Sequence, residues 1–377
     1  MPHRRLVTAL IAALLIAGPP AAFAQTGPAK LSPYKIGMTY PLTGPFATNA
    51  QYLLPAIQLA VDEINAKGGV KGHPLQFIQE DTQATPAGGI EAMRKVTQVD
   101  GVQAVMSIYT NVVLAQVPLA DQLRVPTLSP AETPGIFDKS QYSFAHSSRQ
   151  VNVLADLAKY WKAHNIKRVY GYFSNNAQGQ SLSPVLRQLV EAYGGTYGDA
   201  LVNVTDTDFR GIGTRAKDFN ADMILVNLQG AITETTLIKQ LREVGVTAPL
   251  AESAVFFASK YWRDGVGPYA EGMYFAGNTV DPVAGRDFIH NYTLKVGYPP
   301  DYVCGEVYDM VHILAYAIGK AGYNGPAIRD TLATLKDFPT VFGGTISMQD
   351  DHRTLFHKIG MYQVRRGKLT PVASFPQ

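Results

Sequence analysis

The chain has 377 residues, 46% of them hydrophobic, with 33 lysines and arginines against 30 acidic residues. That near balance, without a basic run or stripe, argues against a nucleic-acid partner. The length exceeds what one hydrophobic core usually holds, so two domains are expected.

In chain order, residues 1–24 read as a secretory leader. His3, Arg4 and Arg5 form a basic start, Leu6 to Ala17 is an uncharged apolar run, and Ala22-Phe23-Ala24 precedes Gln25 with the small residues of a cleavage site. Removing Arg4 and Arg5 from the 33 basic residues leaves 31 against 30, a net charge near +1 for the exported chain. No later segment has the unbroken apolar length of a membrane span. The sole cysteine, Cys304, begins an apolar helix with no helper histidine near it in sequence, which fits buried packing better than a nucleophile.

After the leader, strand-like runs alternate with helical ones. The expected strands are Tyr34–Tyr40, Leu75–Glu80, Ala104–Ile108, Pro126–Leu128, Arg168–Phe173, Asp199–Val204, Met223–Leu228 and Pro249–Ala251. Helical patterns fall between them at Leu53–Ala66, Pro86–Val99, Val112–Leu123, Val151–His164, Ser181–Tyr193, Phe209–Phe219 and Glu234–Val244. Short apolar strands separated by helices of this length predict β-α units and parallel sheets. A break at Ser140–Arg149 divides four such units from four more. Then come an apolar run at Tyr274–Val280, helices at Ala284–Lys295, Gly305–Ala321 and Pro326–Leu335, and a tail that reads as antiparallel strands. Two α/β halves with return segments suggest lobes joined by several chain crossings.

The segments "TYPLTGPFA", "AIQLAVDEINAKGGVKGHPLQFIQEDTQATPAGGIEAMRKV" and "RVPTLSPAETP" together resemble the type I periplasmic solute-binding proteins of ABC importers, in their leucine/isoleucine/valine-binding branch. "NNAQGQS", "ADMILVNLQGAITETTLIKQLREVGV" and "PTVFGGTISMQDDH" extend the resemblance over the exported chain. It implies an α/β fold of two Rossmann-like lobes with parallel central sheets, joined by three hinge crossings around a ligand cleft. The lobes would comprise 25–146 with 276–343, and 147–275 with 344–377. It further implies a monomer in the periplasm that captures an amino acid or related small carboxylate for a membrane permease, with no catalytic residue, metal or cofactor.

Carried over by position, the resemblance puts Asn111 and Thr133 at the ligand's acidic end, with Ala131 supplying a backbone carbonyl. Thr133 and Asn111 are equally suited to cap a turn and a helix, and capping is compatible with binding. Glu252 falls where the amino-acid binders hold the α-ammonium group; its other reading is a surface acid near a helix start. Gln178, Gln229 and Asn49 stand where those binders tend to carry aromatics, which makes the pocket richer in hydrogen bonds. Tyr109 and Phe46, and less directly Phe256, are candidates for replacement apolar walls or for ordinary core. The ligand is thus an amino acid, an amide-bearing relative or an aromatic carboxylate, taken up or sensed. A secreted α/β enzyme is the rival from another class, but no clustered nucleophile and base supports it. "GIGTRA" at Gly211–Ala216 lacks the preceding strand of a dinucleotide fingerprint, and "DDHRTLFH" matches no zinc spacing.

Overall fold

A computed structural model describes residues 31–44, 46–47, 50–131, 135–254, 256–356 and 358–376. The leader expected at 1–24 lies outside the described residues. Strand β1 (Tyr34–Tyr40) lies between β2 (Leu75–Asp81) and β3 (Val105–Ser107), followed by β4 (Thr127–Ser129) and β5 (Ser143–Ala145), in an all-parallel sheet ordered β2-β1-β3-β4-β5. The pleat explains how it packs. Ile36, Met38 and Tyr40 turn to one face and join Leu53, Ala56, Ile57 and Ala60 of α1 (Ala50–Ala66) in one core.

The second sheet is ordered β15-β14-β10-β9-β8-β6-β7. Its parallel part comprises β6 (Arg168–Ser174), β7 (Thr196–Val202), β8 (Met223–Asn227), β9 (Leu250–Glu252) and β10 (Tyr274–Gly277). The antiparallel hairpin β14 (Lys358–Arg365) and β15 (Lys368–Pro376) continues it from β10. Helices α2 (Pro86–Arg94) and α3 (Thr110–Leu123) belong to the first lobe. The second carries α4 (Gln150–Ala163), α5 (Ala177–Ala192), α6 (Arg210–Asp218), α7 (Ala231–Glu243) and α8 (Lys260–Val266). The chain then returns: α9 (Arg286–Val296) and α10 (Tyr302–Ala321) pack on α1, and α11 (Gly325–Ala333) packs on α10. A small antiparallel sheet follows from β11 (Phe338–Pro339), β12 (Thr345–Met348) and β13 (Thr354–Leu355).

The expected break at Ser140–Arg149 is in part a fifth strand. Ser143–Ala145 pairs with β4, and only His146–Arg149 crosses to α4. Three β-α units rather than four therefore precede the crossing, because the proline-flanked stretch after β4 leads to β5. The other crossings follow β10 and lie between β13 and β14. Ile346, Met348 and Phe356 pack into the first core, so that sequence changes sides after β13, later than residue 343. The crossings are tied together: Arg149 Nη2 meets Asp351 Oδ1 at 2.9 Å, and the Ala145 N–H donates to the His352 carbonyl at 2.8 Å.

Helix α5 starts earlier than its apolar periodicity indicates, because Asn176 accepts from the Gly179 N–H at 3.0 Å and caps it. Gly179 is required there. A Cβ would sit 2.0 Å from the Ser174 carbonyl oxygen, a backbone atom that cannot swing aside. Gly179→Ala is expected to cost about 1–3 kcal/mol and lower the melting temperature; an unchanged thermal unfolding curve would contradict this packing.

Candidate ligand-binding site

The loop from β1 to α1 is held by one carboxylate. Asp81, ending β2, accepts from the N–H groups of Leu42 at 2.9 Å, Thr43 at 3.3 Å and Gln83 at 2.8 Å, and from the Thr43 hydroxyl. Slight burial opposes the charge, but these hydrogen bonds outweigh it and hold Asp81 below its ordinary pKa. Leu42 and Thr43, where that loop begins, are thereby fixed beside the carboxyl ends of the strands.

A cavity of about 130 Å³ opens at those carboxyl ends, the usual place for a ligand in such sheets. From the first lobe come Tyr52 and Leu53 of α1, Tyr109 and Thr110 at the start of α3, Ala131 after β4, and Tyr302 and Glu306 of α10. From the second come Gln178, Gln229, Glu234 of α7, Glu252 ending β9, Phe256 and Trp262 of α8. The lobes touch around it. The Tyr261 hydroxyl donates to Gln51 Oε1 at 2.5 Å, and Phe256 meets Tyr302 edge-on at 5.6 Å between ring centroids.

Tyr109 has φ = 70°, a left-handed conformation rare for an aromatic residue and found where surrounding structure enforces it. Its ring lies 4.5 Å from Phe46 and 6.4 Å from Tyr40. Beside it runs an amide relay. Asn176 Nδ2 donates to Gln229 Oε1 at 2.7 Å, Gln229 Nε2 donates to Gln178 Oε1, and the Thr110 hydroxyl reaches Gln178 Oε1 at 3.4 Å. The last contact joins the two lobes.

The two acids from the second lobe dominate the electrostatics. Glu234 and Glu252 are each 1% exposed and lie within hydrogen-bonding reach of each other. Burial pushes Glu252 well above the ordinary carboxylate range, and the charge of Glu234 pushes it further the same way. Glu234 is also raised by burial, but it gains donors: the nearby Glu252, the indole N–H of Trp262 and the Leu228 N–H all favour its charge. Trp262 has one N–H, which serves Glu234 Oε1; its weaker pull on Glu252 does not offset burial. Burial and the neighbouring acid thus push Glu252 upward more firmly than Glu234, whose donors partly offset its burial. As a carboxylate, Glu252 would have no donor for either oxygen among the described residues.

Of the residues singled out in the sequence, Gln178, Gln229, Tyr109, Ala131, Glu252 and Phe256 line this cavity. Phe46 and Asn111 line an adjoining one of about 290 Å³, shared with Tyr109 and Gln229. Thr133 and Asn49 lie outside the described residues. The expected carbonyl of Ala131 already accepts within the protein, from Arg353 Nη1 at 2.7 Å and Ser147 Oγ at 3.1 Å, so both lone pairs are used. Glu252 is not a surface acid. Glu234, Glu306, Tyr52, Tyr302 and Trp262 were missed. Glu234 had a signal, since it precedes Leu237, Ile238 and Leu241 at helical spacing and so lies on the buried face of α7.

Other motifs fall away. Gly211 and Gly213 lie inside α6, so "GIGTRA" forms no phosphate loop. Cys304 is buried against the Tyr292 hydroxyl at 3.5 Å, and burial pushes its thiol well up, which suits packing rather than attack. Among the described residues, no lysine, arginine, histidine or cysteine lines the cavity and no acid or histidine cluster is disposed for a metal.

Two α/β lobes that meet over a buried cavity define a ligand-capture protein. Residues 33–368 match the family described as periplasmic binding protein, and the chain belongs to that family, which is one of binding proteins rather than an enzyme class. The Leu/Ile/Val-binding protein BraC3 of Rhizobium johnstonii is 26% identical over 321 residues, 82% of this chain and 85% of its own. The isoleucine-bound substrate-binding protein LivJ of Streptococcus pneumoniae is 26% identical with a TM-score of 0.82, over 92% of this chain and 99% of that one. A solute-binding protein of Rhodopseudomonas palustris in complex with 3,4-dihydroxybenzoic acid shares the fold at 22% identity and a TM-score of 0.81, over 92% and 97% of the two chains.

The upward shift of Glu252 sets a pH dependence. Its folded pKa lies above its unfolded value near 4.5, so the folded state binds the extra proton and stability is lost as pH rises from that value through the folded one. Ligand-free protein should therefore melt at lower temperature at pH 8 than at pH 5. Glu252→Gln should flatten that decline; calorimetric melting curves that fall equally in both would contradict the assignment.

Proposed function

We propose that this chain is the substrate-binding component of an ABC importer, capturing an amino acid or related small carboxylate by closure of its lobes. The observation that carries the reading is the cavity, whose walls come from both lobes and which holds a buried acid, Glu252. A ligand that touches both walls favours the closed arrangement, since only that arrangement offers both sets of contacts. Family membership agrees, as do relatives described as Leu/Ile/Val-binding. The leader at 1–24 would export the chain to the periplasm as a monomer, and the outer rims of the closed lobes would meet the permease.

The moving bodies in this reading are 25–146 with 276–343 and 147–275 with 344–377, the third exchange shifted by the packing of Ile346 to Phe356. Thr133 and Asn111 would hold the ligand's acidic end with helix N-terminal N–H groups. Gln178, Gln229 and Asn49 would supply amide contacts, with Tyr109 and Phe46 as walls. The rings of Tyr52, Phe256, Tyr302 and Trp262 favour a second reading in which the solute is a small aromatic carboxylate or amide, for uptake or sensing.

Capture without chemistry has a direct test. Solute extracted from the purified protein and returned to stripped protein should raise the melting temperature and be recovered unaltered by mass spectrometry. Thr133→Ala combined with Glu252→Ala should abolish the rise. Turnover of the solute would contradict the capture reading, and an undiminished rise in the double variant would contradict the site.

A further inference from the structure

We propose that this chain carries a ligand site apart from the solute cavity, in a second cavity beside the hinge, and that it takes a small organic cation, an ammonium with apolar substituents. The proposal goes beyond solute capture, because the two cavities share no lining residue. The second measures about 590 Å³ and lies where the chain changes lobes. The crossing after β10 supplies Asn278 and Asp281, and the turn between β11 and β12 supplies Phe342 and Gly343. Phe356 comes from the crossing after β13, and Tyr362 from β14. Both lobes therefore contribute: Phe342 and Phe356 belong to the first core, whereas Tyr362 packs against a core of the second.

The chemistry follows from three features of these walls. The rings of Phe342 and Phe356 stand at 89° with centroids 5.2 Å apart, forming a corner. Tyr362 adds a third ring, its hydroxyl held at 2.9 Å from that of Thr279. Aromatic faces attract cations, so rings grouped in this way favour an ammonium over an anion.

Asp281 is the one charged side chain among the described lining residues. Its position is fixed: Oδ1 accepts from the Val283 and Ala284 N–H groups, each at 2.8 Å, and its own N–H donates to the Val341 carbonyl at 2.9 Å. Both accepted bonds use Oδ1 and leave Oδ2 to an occupant. Gly343, at φ = 89°, keeps the approach open, since a Cβ there would lie 3.3 Å from Oδ2. A neutral apolar occupant would strip water from this carboxylate and return nothing, whereas a cation offsets its charge.

Asn278, in the same wall, is 5% exposed, and neither of its amide atoms has a hydrogen-bond partner among the described residues. Buried amides ordinarily find partners. The protein's own set is incomplete here, and a hydroxyl-bearing or hydrated cation brings what is lacking.

The test uses the full exported chain, stripped of solute, and two pairs of probes matched in shape: choline against 3,3-dimethylbutan-1-ol, and butylamine against butan-1-ol. In isothermal titration calorimetry, at least one cation should bind roughly tenfold or more tighter than its neutral partner, with an affinity that falls as salt is added. Asp281→Asn keeps an acceptor for the Val283 and Ala284 N–H groups and should remove that preference. Phe342→Leu keeps the charge, removes a ring and should weaken the cation severalfold, which preserves the test should Asp281→Asn fail to fold. Glu252→Gln, in the solute cavity, should leave the cation's affinity unchanged. Cations that fail to bind, that bind no tighter than their neutral partners, or that are lost with Glu252→Gln and kept with the other two variants overturn the inference. Those results leave the capture reading intact, since it fails on a different observation, turnover of the solute.

Discussion

Two carboxyls share one buried cavity that no basic side chain lines among the described residues, and much of the site's design follows from that constraint. Burial opposes charge on both Glu234 and Glu252. The fold relieves one of them, placing the Trp262 indole and the start of α7 against Glu234. It leaves the other with no hydrogen-bond donor for either oxygen among the described residues. A core built only for stability would replace such a pair with apolar side chains of similar size. Keeping it makes sense where something else arrives to complete it.

The architecture puts that unmet need where motion can use it. Glu252 ends a strand of the second sheet, whereas the facing wall, Tyr52, Tyr109 and Tyr302, belongs to the first lobe. Contacts across the cavity include polar ones, such as Thr110 to Gln178 and Tyr261 to Gln51. Three crossings, braced by Arg149 with Asp351, join bodies that each have their own core. This is the geometry of a hinge.

Much of this was legible in the sequence because it is written in local pattern. Strand β1 was read at its observed limits, and the alternation of strands and helices predicted both parallel sheets. Strand β5 was not read, since Ser143–Ala145 is three residues long and too short to show a period. Elements also began earlier than expected where a cap rather than an apolar residue starts them, as Asn176 does for α5. In the site, Glu252, Gln178, Gln229 and Tyr109 reached the cavity by resemblance. The bond that the Ala131 carbonyl accepts from Arg353, more than two hundred positions away, is one that no local reading detects. Glu234 was visible only as an acid on an apolar helix face. Its pairing with Glu252 depends on how α7 packs against β9, a tertiary fact.

Small-angle X-ray scattering tests the central claim of hinged capture most directly. Protein stripped of its solute and protein loaded with solute from its own purification should give different curves, with a smaller radius of gyration when loaded. Superimposable curves, with binding verified by equilibrium dialysis on the same samples, would contradict closure around a captured molecule.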